Sequence, residues 1–210
     1  MVYKRVGQRL PDECGELKVT GKAIYASDVK LPGMLYGKIL RSPYAHARIL
    51  EIDVSEALGI PGVEAVITGD DTKKINYLVQ GPPFDDKPVL AVEKVRYIGD
   101  EVAAVAAVDE RTALKALRAI KVTYEPLPHV TDPHQAMAPG APVIHEPYPD
   151  NVASHYDRKF GDVERGFLES DFIFENTYKV PAQSHCCMEP RACVASYDEA
   201  TDSLDFWTAT

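Results

Sequence analysis

The sequence predicts an α+β fold in which short strands and isolated helices replace a repeating strand-helix wind. Three observations carry that expectation. Strand-like apolar runs recur between residues 34 and 124 with short connections. One amphipathic helix pattern stands out, between 109 and 120, and apolar-polar alternation returns over 191–210. With 210 residues, 45% hydrophobic and 26% charged, the chain can bury a core in one or two domains.

Residues 1–15 read as a polar lead-in, and ordered structure is expected to begin near Lys18-Val19-Thr20-Gly21. Residues 34–40 and 47–54 have strand character. The second run leads into Ser55, expected to cap a short helix through Leu58. Residues 63–68 give another strand, closed by Gly69-Asp70-Asp71. The clearest unit spans 101–125: a buried-looking strand, a helix and a strand over 121–124. Asp109 suits the N-cap, and Glu110 sits in the first turn where the helix dipole favours negative charge. Ala113, Leu114, Leu117 and Ile120 recur at helical spacing, so the unit reads as a β-α-β element.

Seven prolines between 126 and 149 prevent long regular elements and mark a linker over 131–160, crossing a protein surface. Beyond it, Asp162 can cap a short helix with Val163 and Phe167 on one face. Three strands are expected next. Phe172, Phe174, Tyr178 and Val180 share a face of the first, and 191–197 pairs with 204–210 across a polar turn. Leu204, Phe206 and Thr208 alternate with Asp205 and Trp207 without a following turn, so the chain is expected to be a piece of a larger protein.

A formal net charge of -9 argues against general nucleic-acid binding, which rests on neutralising phosphates. The basic N-terminal residues precede no apolar stretch, and the longest apolar run, 102–108, is far below the roughly 20 residues that cross a bilayer. A cytoplasmic chain without membrane contact is expected. Cys14, Cys186, Cys187 and Cys193 lack C-x-x-C spacing and read as buried thiols. Phosphate-loop, dinucleotide, zinc-protease and nucleophile-elbow motifs are absent.

His129, His134 and His145-Glu146 sit among prolines that cannot hold metal ligands at helical spacing, so they read as solvated loop residues. The run from Gln183 to Arg191, Q-S-H-C-C-M-E-P-R, is a polar, sulfur-rich turn between apolar strands. It either faces a cofactor or substrate channel with amide, carboxylate and guanidinium groups, or connects strands while Glu189 and Arg191 meet water. Arg41 to Arg48, R-S-P-Y-A-H-A-R, either binds an anion or forms an arginine-anchored turn against a partner domain.

Several long blocks in order carry a resemblance. V-T-G-K-A-I-Y-A-S-D from Val19, L-P-G-M-L-Y-G from Leu31 and R-S-P-Y-A-H-A from Arg41 resemble the start of the molybdenum-binding large subunit of the xanthine dehydrogenase and aldehyde oxidase family. V-R-Y-I-G-D-E-V-A-A-V from Val95, Y-E-P-L-P from Tyr124 and M-E-P from Met188 continue the match, which covers the chain from about residue 10.

The resemblance implies a lead-in over 1–15, an α/β hammerhead domain over 16–130, a proline-rich linker over 131–160, and the truncated start of a molybdopterin-binding domain over 161–210. It implies oxidation of an aldehyde or nitrogen heterocycle, or reduction of an aromatic acyl-CoA as in the 4-hydroxybenzoyl-CoA reductase branch. A molybdopterin-type molybdenum cofactor would belong to the complete subunit, with iron-sulfur clusters and FAD on partner domains or subunits. Partners would be the remainder of the molybdenum subunit and those iron-sulfur and flavin subunits. The family's first cofactor-contacting glutamine and its later G-G-x-F-G segment would follow Thr210. No catalytic residue or metal ligand is therefore assigned, and the chain alone is expected to be inactive and free of cofactor. Gln183, Glu189 and Arg191 are the candidates to stand near the cofactor or its access channel. The alternative is a stand-alone hammerhead module that works without molybdenum.

Overall fold

A computed structural model describes residues 7, 9–75 and 87–209. Residues 1–6 and 8 of the lead-in, and Thr210 of the last expected strand, lie outside the described residues. Contacts divide the chain into two compact units: 33–170, and the described residues up to Pro32 together with those from Asp171 onward.

Order begins earlier than the sequence suggests. Helix α1 (Gly15–Val19) follows a turn in which the Asp12 carboxylate accepts the Cys14 N–H, and a 3-10 turn covers Ala26–Asp28. Elements of the larger unit follow in the order β1 (Tyr36–Arg41), β2 (Ala47–Asp53), α2 (Ser55–Leu58), β3 (Val63–Thr68) and α3 (Gly69–Thr72). Then come β4 (Lys94–Val95), β5 (Glu101–Ala107), α4 (Glu110–Ala119), β6 (Lys121–Pro126), α5 (Pro133–Ala136) and α6 (Val163–Leu168). The last two strands, β7 (Cys193–Asp198) and β8 (Ser203–Thr208), form an antiparallel hairpin in the other unit.

Two antiparallel sheets build the 33–170 unit, one ordered β1-β5-β3 and the other β4-β2-β6. The expected β-α-β element therefore divides. Strand β5 is the centre of the first sheet and β6 an edge of the second, so α4 links two sheets and makes no crossover within one. Each strand found a different antiparallel neighbour, a choice that local periodicity does not encode.

Small side chains let these layers approach closely. Ala103 and Val105 of β5 pack with Ala57 of α2 and Ala116 of α4, while Val102 joins Ala47, Ala91 and Val95 in a second cluster. Ile52 and Val122 border both clusters. Val95, Val102 and Val105 are the largest fully buried side chains, each stabilising the fold by about 1.5–3 kcal/mol relative to exposure.

Helix α4 starts where Asp109 accepts the Thr112 N–H over 2.7 Å, as its sequence implies. Its buried face carries Ala113 and Ala116, whereas Leu114 is 40% exposed. The cap of α2 differs from expectation. Asp53 accepts both the Ser55 N–H and its hydroxyl, so the aspartate two residues earlier fixes this helix start. Asp162 caps α6 by accepting the Arg165 N–H, while Val163 and Phe167 both stay more than half exposed.

In the other unit, the strand expected around 172–180 does not form: residues 172–182 are assigned neither helix nor strand, and Phe172, Phe174, Tyr178 and Val180 are each more than 80% exposed. Alternation marks a surface suited to a sheet, but a strand requires a ladder partner. The 191–210 pair does form, with Val194 opposite Trp207 and Tyr197 opposite Leu204.

Candidate functional site

The candidate cofactor-side segment, 183–191, leads directly into β7. Cys186 takes a left-handed φ of 46°, the conformation glycine favours, and its N–H donates to Ser184 Oγ at 3.4 Å. This kink interrupts the extended chain. Ala209 N–H then donates to the Ala192 carbonyl at 3.2 Å and carries the hairpin ladder to the foot of the turn.

Gln183, Glu189 and Arg191 are all exposed, and no hydrogen bond or ion pair joins them among the described residues. Arg191 is fixed closest to a regular element, two residues before β7. Cys14, Cys186, Cys187 and Cys193 are free and exposed, correcting the expectation of buried thiols. Cys14 sits in a turn, Cys186 and Cys187 in irregular chain and Cys193 at a strand start, all in segments that bury little side-chain area, so small apolar character did not draw them inward.

In the 33–170 unit, the arginine-rich turn resolves in favour of anchoring. Arg41 donates to the Gly99 carbonyl at 2.8 Å and to Glu101 Oε1 at 2.7 Å, while Arg48 pairs with Glu125 at 2.6 Å. Tyr97 OH donates to the other oxygen of Glu101 at 2.8 Å, and Lys87 Nζ lies 3.2 Å from it. Burial works to raise the Glu101 carboxyl, but donation from Tyr97, Arg41 and Lys87 outweighs it and holds the group at about 2. Asp100 beside it is buried and shifted upward by desolvation, although it accepts the Arg96 N–H.

The loop histidines do not come together. His134 lies on α5, where Asp132 accepts its backbone N–H, and Glu146 is taken by Lys94 at 2.6 Å and Arg96 at 3.5 Å. Lys94's hydrogen bond draws the Glu146 carboxyl down to about 2. Sequence reasoning missed this group because Lys94 and Glu146 lie far apart in the chain, and only β4's pairing with β2 sets the lysine's position.

Chemically, the two units contrast. In 33–170, Arg41, Arg48, Lys94, Glu101, Glu125 and Glu146 spend their charge on one another and serve as fastenings. In the 183–191 segment an amide, two thiols, a carboxylate and a guanidinium are presented outward. Among the described residues no three His, Cys, Asp or Glu side chains gather to hold a metal ion, and no helix is long and apolar enough to cross a membrane.

Comparison with known proteins finds two successive matches along the chain, each of which draws on both contact units. The profile of the aldehyde oxidase and xanthine dehydrogenase a/b hammerhead domain matches residues 20–128, and that of a molybdopterin cofactor-binding domain matches 144–210. Similar proteins include a probable xanthine dehydrogenase subunit from Bacillus subtilis (strain 168), 42% identical over 195 residues, covering 93% of this chain and 25% of its own length. The carbon monoxide dehydrogenase large chain of Afipia carboxidovorans is 38% identical over 201 residues, covering 89% of this chain and 25% of its own length. Among solved structures, aldehyde oxidoreductase from Desulfovibrio gigas aligns with a TM-score of 0.81 and 33% identity over 94% of this chain and 23% of that one. The chain thus spans about a quarter of the length of the relatives it matches. Its fold is the hammerhead domain followed by the start of a molybdopterin-binding domain, and the chain belongs to the aldehyde oxidase and xanthine dehydrogenase family.

Proposed function

We propose that this chain is the N-terminal part of the large subunit of a molybdenum hydroxylase or dehydrogenase acting on an aldehyde or nitrogen heterocycle. The observation that carries the reading is the succession of a hammerhead match and a molybdopterin-domain match along one chain. Residues 16–130 serve as scaffold, 131–160 as the proline-rich connection, and 161–210 as the opening of the cofactor domain. Relatives named as a subunit and a large chain support a multi-subunit assembly, with iron-sulfur and flavin subunits as the proposed partners. The cytoplasm is its proposed compartment, since a reducing environment keeps exposed cysteines such as Cys186 and Cys187 unpaired.

The residues present fit a molybdopterin in one respect. Gln183 can donate and accept, and Arg191 offers a planar fork to an anionic or carbonyl oxygen, which suits a pterin or its phosphate better than direct metal ligation. Gln183, Glu189 and Arg191 would stand near the cofactor, behind the groups that touch it or along its access channel. When bound, the cofactor supplies the two-electron redox chemistry, and these side chains would set the polarity of its surroundings. The exposed kink at Cys186 sets which way the segment turns before β7.

The test joins coding sequence to metal content. Reading on from Thr210 is expected to give Gln and, later, G-G-x-F-G, and the polypeptide so encoded should carry close to one molybdenum per chain. The 210-residue chain alone should carry none. A stop codon directly after Thr210, or near-stoichiometric molybdenum on the short chain, would overturn the reading.

A further inference from the structure

His46 is 5% exposed and lies just before β2. Its Nδ1 stands 2.7 Å from the Pro128 carbonyl oxygen, which can only accept, so Nδ1 carries the proton. Nε2 is then the acceptor, and Lys94 Nζ lies 3.2 Å from it. The same ammonium reaches Glu146 Oε1 at 2.6 Å, and the Lys94 side chain is only 11% exposed. The His46 backbone carbonyl also accepts the Leu127 N–H at 2.9 Å, so ring and main chain together bracket the exit of β6.

Glu146 belongs to a preformed strap. Asn151, at a left-handed φ of 56°, accepts the Ile144 N–H and donates to the carbonyls of Ala136 and Pro142, which folds the proline-rich segment after α5 onto itself. We infer that His46 is a positioning residue: as the neutral Nδ1–H tautomer it aims Lys94 at Glu146 and so fastens this strap to the β4-β2-β6 sheet.

Protonation of the ring would set an N–H and a positive charge against the Lys94 ammonium, removing the acceptor that aims it. Charged groups on the flanking elements are engaged with one another. Arg48 of β2 pairs with Glu125 of β6, and Arg96 shares Glu146 with Lys94. His145 precedes Glu146 on the strap, and His129 follows Pro128.

Amide exchange of 137–149 in the 210-residue chain, expressed as protection factors and referenced to β5, tests the inference. Lys94→Met should lower strap protection about five- to tenfold while leaving β5 unchanged. In the native chain, protection should fall on acidification. The deciding variant is Lys94→Glu with Glu146→Lys. The carboxylate introduced at position 94 cannot donate to neutral Nε2 but accepts from an imidazolium, so its strap protection should rise on acidification. Nitrogen-15 spectra of the native ring should show the Nδ1–H tautomer. Unchanged strap exchange in Lys94→Met, the same sign of pH response in both chains, or an Nε2–H tautomer would overturn the assignment.

Discussion

Arg41 and Glu101 meet at 2.7 Å where the register between β1 and β5 breaks: Leu40 pairs with Ala103, but Arg41 pairs with Glu101. The residue skipped is Val102. While Ala103 and Val105 serve the core beside α4, Val102 turns into the cluster around Ala47 and Val95. Strand alternation sends Val102 to the face opposite Ala103 and Val105, so one strand feeds two cores, and the ion pair sits where the ladder shifts register.

Glu101→Gln should therefore destabilise the 33–170 unit by about 1 kcal/mol, a small figure because the Arg41 side chain is half exposed. The pH dependence follows from the carboxyl's fall from an ordinary 4.5 to about 2. A depressed carboxyl stabilises the fold fully above the unfolded value and loses that contribution as pH falls through the folded one. Native stability relative to Glu101→Gln should shrink between about 4.5 and 2. Buried Asp100 has the opposite sign, and because the Glu101 charge adds to its rise, Glu101→Gln also relaxes part of that shift. Urea midpoints of both chains across that range provide the check.

Gly69 permits a close backbone approach. A Cβ there would stand 2.3 Å from the Ala91 carbonyl oxygen and 2.8 Å from Val92 Cα. Ala91 cannot retreat easily, because it is 2% exposed and its N–H is bound to the Glu101 carbonyl. Gly69→Ala should cost about 2–3 kcal/mol through overpacking, whereas Gly37→Ala, which meets nothing within 4 Å, should stay within about 0.5 kcal/mol. Equal denaturation midpoints for the two variants would contradict the packing argument.

Asp109 satisfies one of the free N–H groups at the start of α4. Asp109→Ala should lower the melting temperature measurably, and Asp109→Asn by much less because an amide oxygen accepts the same hydrogen bond. Thermal melts of the three chains measure the difference. Acid should narrow the gap between native and Ala chains, since the Thr112 N–H draws the carboxyl below its usual range and that contribution disappears on protonation.

The sequence revealed features whose causes are local. The cap at Asp109, the α4 period and the hairpin from 191 onward depend on residues a few positions apart, and all three are present. Features set by distant partners were hidden. Strands β5 and β6 joined different sheets, and His46, Lys94 and Glu146 converged from three segments. The Phe172-to-Val180 alternation described a face without naming what covers it. For the candidate site, residue types at 183–191 were legible as polar and sulfur-rich, but the left-handed turn at Cys186 was not, because cysteine has no preference for that conformation.

The two units should differ in native amide exchange, and the reason lies in what each buries. Strand β5 is bonded on both sides and carries Val102, Ala103 and Val105 at 2% exposure or less, so its amides open only with the core. Residues 172–182 have no strand ladder, and Phe172, Phe174 and Tyr178 are more than 80% exposed. Exchange there should approach the unprotected rate, with the β7-β8 hairpin intermediate because each strand has a single neighbour. Protection in β5 should exceed that of 172–182 by at least about a hundredfold, on the general scale of core opening against open loops. Uniformly slow exchange across both regions of the 210-residue chain would contradict this and would mean that the second unit buries its aromatics.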